Sequence, residues 1–112
     1  MARGHVVLRD EKTPTDRRHL VATLCDDGAL LIEGQDLGAG VEAAFGPGIR
    51  EYEWTSKVSA ADLPALVAAL GGAEGADILD IVRATCTADP TLLEKAIRAA
   101  GIPSDFWSRM GD

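Results

Sequence analysis

The stretch His19-Leu-Val-Ala-Thr-Leu-Cys-Asp-Asp-Gly-Ala-Leu-Leu-Ile-Glu33 constrains the fold of this chain more than any other, because its apolar spacing and its Asp26-Asp27-Gly28 centre together specify a β-hairpin and its register. A two-residue turn at Asp27-Gly28 would set Thr23 opposite Ile32 and Ala22 opposite Glu33, mixing polar and apolar groups on both faces. A three-residue loop does better. With Gly28 in the left-handed position of a bulged type I turn, Cys25 faces Ala29 and Leu24 faces Leu30. Leu20, Ala22, Leu24, Leu30 and Ile32 then share one face, and burying that set selects the longer loop. Val21, Thr23, Cys25, Ala29, Leu31 and Glu33 fall on the other, half-apolar face.

A second strand signal is Glu51-Tyr-Glu-Trp-Thr-Ser-Lys-Val58, which alternates strictly: Tyr52, Trp54, Ser56 and Val58 on one side, Glu51, Glu53, Thr55 and Lys57 on the other. Between the two, Gly34-Gln-Asp-Leu-Gly-Ala-Gly40 predicts a break, Val41–Phe45 one helical turn, and Gly46-Pro-Gly48 a turn. Val6-Val7-Leu8 reads as an edge strand. Arg9–Arg18 is too polar to pack and reads as loop.

The second half is helical. Ser59 and Asp62 resemble a capping box ahead of Leu63, Leu66, Val67 and Leu70, with Pro64 in the first turn. Asp77 opens a helix with an Ile78, Leu79, Ile81, Val82, Cys86 stripe, and Leu92, Leu93, Ala96 and Ile97 mark another, with Glu94 and Arg98 as an i,i+4 pair. Gly101 stops it, and Ile102–Met110 reads as one or two final helical turns anchored by Phe106 and Trp107.

Strands followed by helices, without β-α-β alternation, give an α+β fold: a small antiparallel sheet of three to four strands in the N-terminal half, packed on one face by three to four C-terminal helices. The expected core is Leu20, Leu24, Leu30, Ile32, Tyr52, Trp54, Val58, Leu66, Leu70, Ile78, Val82, Leu93, Ile97 and Trp107. Residues 1–18 form a partly flexible basic segment and residues 19–112 a single domain, a length that suits one core without metal or disulfide help.

Eleven basic and 18 acidic residues give a net charge of −7, which argues against nucleic-acid binding because the phosphate contribution would be repulsive. The acidity gathers around the sheet, since residues 21–62 hold two basic and eight acidic groups. Cys25 and Cys86 are far apart in sequence and read as free buried thiols. The N-terminal residues lack the apolar run of a signal peptide, and no segment approaches about 18 apolar residues, so the expectation is a cytoplasmic protein without a membrane partner.

Motifs for chemistry are sparse. There is no G-x-S-x-G, and Gly71-Gly-Ala-Glu-Gly75 lacks the Lys-Ser/Thr of a phosphate loop. His19 and Cys25 would lie on one strand face but about 20 Å apart, too far to share a metal, so neither metal nor cofactor is implied. Glu51 and Glu53 stand roughly 7 Å apart on one face, a spacing compatible with paired acid and base groups but equally with a solvated strand face. Asp36 sits in a glycine-bounded loop, where an Asx-type turn accounts for it.

The run Ile32–Gly38, then Glu51-Tyr-Glu-Trp54, the helix Leu63–Gly72 and the closing Gly101-Ile-Pro-Ser-Asp-Phe-Trp-Ser-Arg109 resemble a group of small acidic actinobacterial proteins over most of residues 19–112. That group has no established activity, so the resemblance implies a lineage and a soluble cytoplasmic setting and transfers no functional residue.

Two functional classes follow. One is a non-enzymatic interaction module whose sheet face (Val21, Thr23, Cys25, Leu31, Glu33, Glu51 and Glu53) binds a protein partner, with carboxylates around an apolar centre suiting a basic, toxin-like surface as immunity proteins do. The other is a small enzyme or ligand-binding protein with a pocket near residues 34–48, where Gln35, Asp36 and Trp107 are the candidate contacts. A homodimer with a structural role competes with both.

Overall fold

The computed structural model describes residues 2–111; the outer ends of the two expected segments, Met1 and Asp112, lie outside them. Its elements run β1 (Gly4–Lys12), β2 (Asp16–Leu24), β3 (Leu30–Gly38), α1 (Ala39–Phe45), β4 (Glu51–Val58), α2 (Leu63–Ala69), α3 (Ile78–Cys86), α4 (Leu92–Ala99) and β5 (Asp105–Gly111). The strands form one antiparallel sheet in the order β1-β2-β3-β4-β5. The α+β class is as expected, but the sheet has five strands rather than three or four, and the fifth comes from the C-terminal end. No helix of the described residues is long and apolar enough to cross a membrane.

The central hairpin has the bulged three-residue loop. Gly28 lies at φ 85°, its N–H donates to the Cys25 carbonyl at 2.9 Å, and the Cys25 N–H donates to Ala29 at 2.8 Å. Leu24 therefore pairs with Leu30 and Ala22 with Ile32. That register gathers Leu20, Ala22, Leu30 and Ile32 with Val6, Leu8 and Val58 on one face. Against them pack Leu66, Val67 and Leu70 of α2, Ile78, Leu79, Val82 and Cys86 of α3, Leu93, Ala96 and Ile97 of α4, and Ile102. The Asp77 carboxylate caps α3, accepting from Leu79 and Asp80 N–H. Ser59 and Asp62 meet through their side chains at 2.8 Å and not as a capping box, since a single 3₁₀ turn, Ala60–Asp62, precedes α2.

Several expectations fail. β3 does not break at Gly34 but continues to Gly38, paired on both sides with Leu20 and Trp54. A Cβ on Gly34 would lie 2.1 Å from the Trp54 ring, so this glycine makes room for an indole inside a strand. Arg9–Lys12 and Asp16–Arg18 are strand, not loop, because backbone pairing does not require buried side chains and these residues remain largely exposed. Ile102–Met110 is not helical: from Asp105 it is β5, and Trp107, expected in the core, is 51% exposed. Tyr52 and Trp54 are half-buried rather than buried. Glu94, expected to pair with Arg98, accepts the Trp54 indole N–H at 3.3 Å.

Candidate functional site

The helices cover one face of the sheet only. On the other, strand alternation and register build cross-strand rows: Val7, Val21, Glu33, Thr55 and Trp107 in one; His5, Thr23, Leu31, Lys57 and Asp105 in the next; His19, Gln35, Glu53 and Arg109 on the other side of the first. None of these residues joins the core cluster. Val7 and Trp107 are exposed, while Val21, Thr23, Leu31 and Thr55 are half-buried.

Every residue proposed from sequence for the partner surface belongs to this face. Val21, Thr23, Leu31, Glu33, Glu51 and Glu53 alternate onto it, and half-buried Cys25 continues the same side of β2 at its end. Trp107, expected in the core or in the alternative ligand set, and Arg109, not expected in any site, complete this face; Phe106-Trp-Ser-Arg-Met110 does not alternate apolar with polar, so no strand period marked them. Arg109 changes the electrostatics. Its Nη2 lies 3.3 Å from Glu51 Oε1 and 3.4 Å from Glu53 Oε1, and Gln35 Nε2 donates to the same Glu53 oxygen at 3.2 Å.

The two glutamates respond oppositely to this setting. Glu51 takes up a proton more readily than an ordinary glutamate, because it can share a hydrogen bond with Glu53, because it is partly desolvated and because Glu53 repels its charge. Glu53 is held below the usual range as acceptor in that shared bond, helped by Arg109 and Gln35. Both side chains keep a quarter or more of their surface in solvent (25% and 30%), on an open sheet with no walls to exclude water. The arrangement therefore ties β5 to β3 and β4 across the sheet, and it lacks the enclosure that acid–base catalysis needs. Elsewhere on the face Lys57 pairs with Asp27 at 3.2 Å, and Glu33 is exposed without an ion-pair partner among the described residues.

Strand alternation separates the alternative ligand set. Gln35 and Trp107 share the open face, where with His19, Glu33, Glu53 and Thr55 they line a shallow depression of about 250 Å³. Asp36 points to the opposite, helix-bearing side and pairs with Arg18 at 3.3 Å. A larger concavity, about 620 Å³, lies away from residues 34–48, between α2 and the Gly72–Ile78 segment. Its lining of Ala60, Leu63, Pro64, Val67, Ala68 and Ala76 is apolar, with Glu74 the one ionisable group. No group of three or more His, Cys, Asp or Glu among the described residues is placed to hold a metal. Compared with known proteins, the chain matches no family model, no curated protein and no solved structure.

Proposed function

We propose that this chain is a non-enzymatic interaction module that binds a protein partner of basic character through the uncovered face of its sheet. What carries the reading is the continuity of that face. The row Val7, Val21, Glu33, Thr55 and Trp107 crosses all five strands and is interrupted by charge only at Glu33, with Leu31 and Thr23 beside it and no helix over it. An uncovered sheet face with partly exposed apolar side chains among polar groups is the kind of surface on which soluble domains bind partners. The β3–β5 half of the face presents Glu33, Glu51, Glu53 and Asp105 against Lys57 and Arg109, so its charge remains negative although Arg109 and Lys57 offset part of it. A basic partner is drawn by that balance and by the net charge of −7, while the apolar row supplies residence time.

The test uses two positions outside the core cluster. Leu31→Lys and Glu33→Lys are expected to abolish capture of partners from a native lysate, with the circular dichroism spectrum unchanged and capture by the unaltered chain weakening as salt rises. Retention of every partner by both variants rejects the face as the site.

A further inference from the structure

We propose that β5 pairs with β5 of a second copy, antiparallel about Ser108, joining two five-stranded sheets into one. The two edges of the sheet differ in kind. β1 carries a bulge between Val7 and Arg9 and then four charged residues in succession, Arg9-Asp-Glu-Lys12, the devices by which proteins keep an edge unpaired. β5 is unbulged, free of proline, carries only the separated charges Asp105 and Arg109, and exposes Phe106 at 60%, Trp107 at 51% and Met110 at 53%. An edge of this sort in a monomer is an open template for another strand.

The backbone parity decides how a second strand would dock. Gly38 N–H donates to the Arg50 carbonyl at 2.8 Å in the β3–β4 register, so the even residues of β4 bond to β3 and its odd residues to β5. Their partners Asp105, Trp107, Arg109 and Gly111 thus turn their N–H and C=O groups inward. Phe106, Ser108 and Met110 turn theirs to the free edge.

The outward-bonding residues of two copies face one another whether the two-fold centres on Trp107, Ser108 or Arg109, but only Ser108, the midpoint of Asp105–Gly111, pairs the strand over its whole length and produces a self-complementary contact. Phe106 of one copy bonds across to Met110 of the other, a ring against a thioether, and Met110 already neighbours Tyr52 in its own sheet. On the open face Trp107 lies directly across from Arg109 of the second copy, an indole against a guanidinium that Glu51 and Glu53 already hold. No like charges meet, since Asp105 falls opposite Gly111.

Sedimentation equilibrium at micromolar concentrations is expected to show a dimer, and Ser108→Pro a monomer with unchanged circular dichroism, because Pro removes an outward N–H that β4 does not use. In the paired strand the two Ser108 Cα atoms stand about 5.5 Å apart, within disulfide reach. The two Asp105 Cα atoms are separated by six residues of strand, about 20 Å. Ser108→Cys is therefore expected to cross-link copies under mild oxidation and Asp105→Cys not to, a comparison that decides the matter if Ser108→Pro fails to fold. A monomeric wild-type chain, a dimer that survives Ser108→Pro, or equal cross-linking at both positions overturns the proposal. Leu31→Lys leaves the dimer intact if β5 is the interface and dissociates it if the open face is, so failure here is distinct from failure of the partner-binding reading.

Discussion

Gly34 and Trp54 act as one unit. The indole lies where a side chain at position 34 would stand, stacks on Tyr52 with ring centroids 5.2 Å apart, and reaches Glu94 of α4 at 3.3 Å. Tyr52 continues to Phe45 at 5.1 Å, so a single missing Cβ in β3 lets an aromatic row connect α1, β4 and α4. Gly34→Ala must push the ring off this seat, and overpacking of that kind costs about 1–3 kcal/mol. The urea midpoint is expected to fall accordingly. In a Trp54→Val background the same substitution is expected to cost little, because the clashing atoms are gone; additive losses in the double variant would show that the glycine serves some other purpose.

At the level of elements, the chain was readable where one face is buried and misleading where both are wet. The Asp26-Asp27-Gly28 loop, the alternation of β4 and the stripe of α3 follow from burial, which punishes a slip of one residue. Asp77 belongs to this legible class, since a lone Asp before an apolar helical stripe is a cap by its chemistry. Asp77→Ala is expected to lower stability by about 1 kcal/mol and Asp77→Asn by much less, read as urea midpoints at neutral pH. β5 was illegible for the opposite reason. All but its last residue are exposed, so no core pattern separates strand from helix, and Phe106 and Trp107 invite an anchoring role they do not have. The polar halves of β1 and β2 were lost in the same way. The open face was legible because it is the complement of a buried one; its rim was not, because Arg109 reaches Glu51 and Glu53 from 58 and 56 residues away.

The whole molecule carries opposing responses to acid, and their order on the pH axis sets where it is most stable. Asp16, Asp27 and Asp89 are all more acidic than their ordinary value of 3.8: Asp16 chiefly through the Thr15 hydroxyl and then Gly40 N–H, Asp27 through Ala29 N–H and then Lys57, Asp89 through the Thr91 hydroxyl. Groups with depressed folded values contribute stability that is complete above 3.8 and is lost as pH falls through those values. Each also joins elements: Asp16 ties the β1–β2 turn to the first turn of α1, Asp27 holds the hairpin loop, and Asp89 precedes α4. Glu51 has the reverse sign. It is raised above 4.5, so protonating it relieves the repulsion with Glu53 and favours the folded state as pH falls toward 4.5, while the depressed Glu53 withdraws its contribution only below that. The net charge of −7 also shrinks toward the isoelectric point near 4.7, easing self-repulsion over the same interval. The urea midpoint is therefore expected to be higher at pH 5 than at pH 7 and to drop below pH 3.8. Glu51→Gln should flatten the rise between pH 7 and 5 without moving the acid limb, and Asp27→Asn should weaken the acid limb without touching the rise. A midpoint that declines steadily from pH 7 would mean that the Glu51–Glu53 pair and the overall charge have no hold on stability.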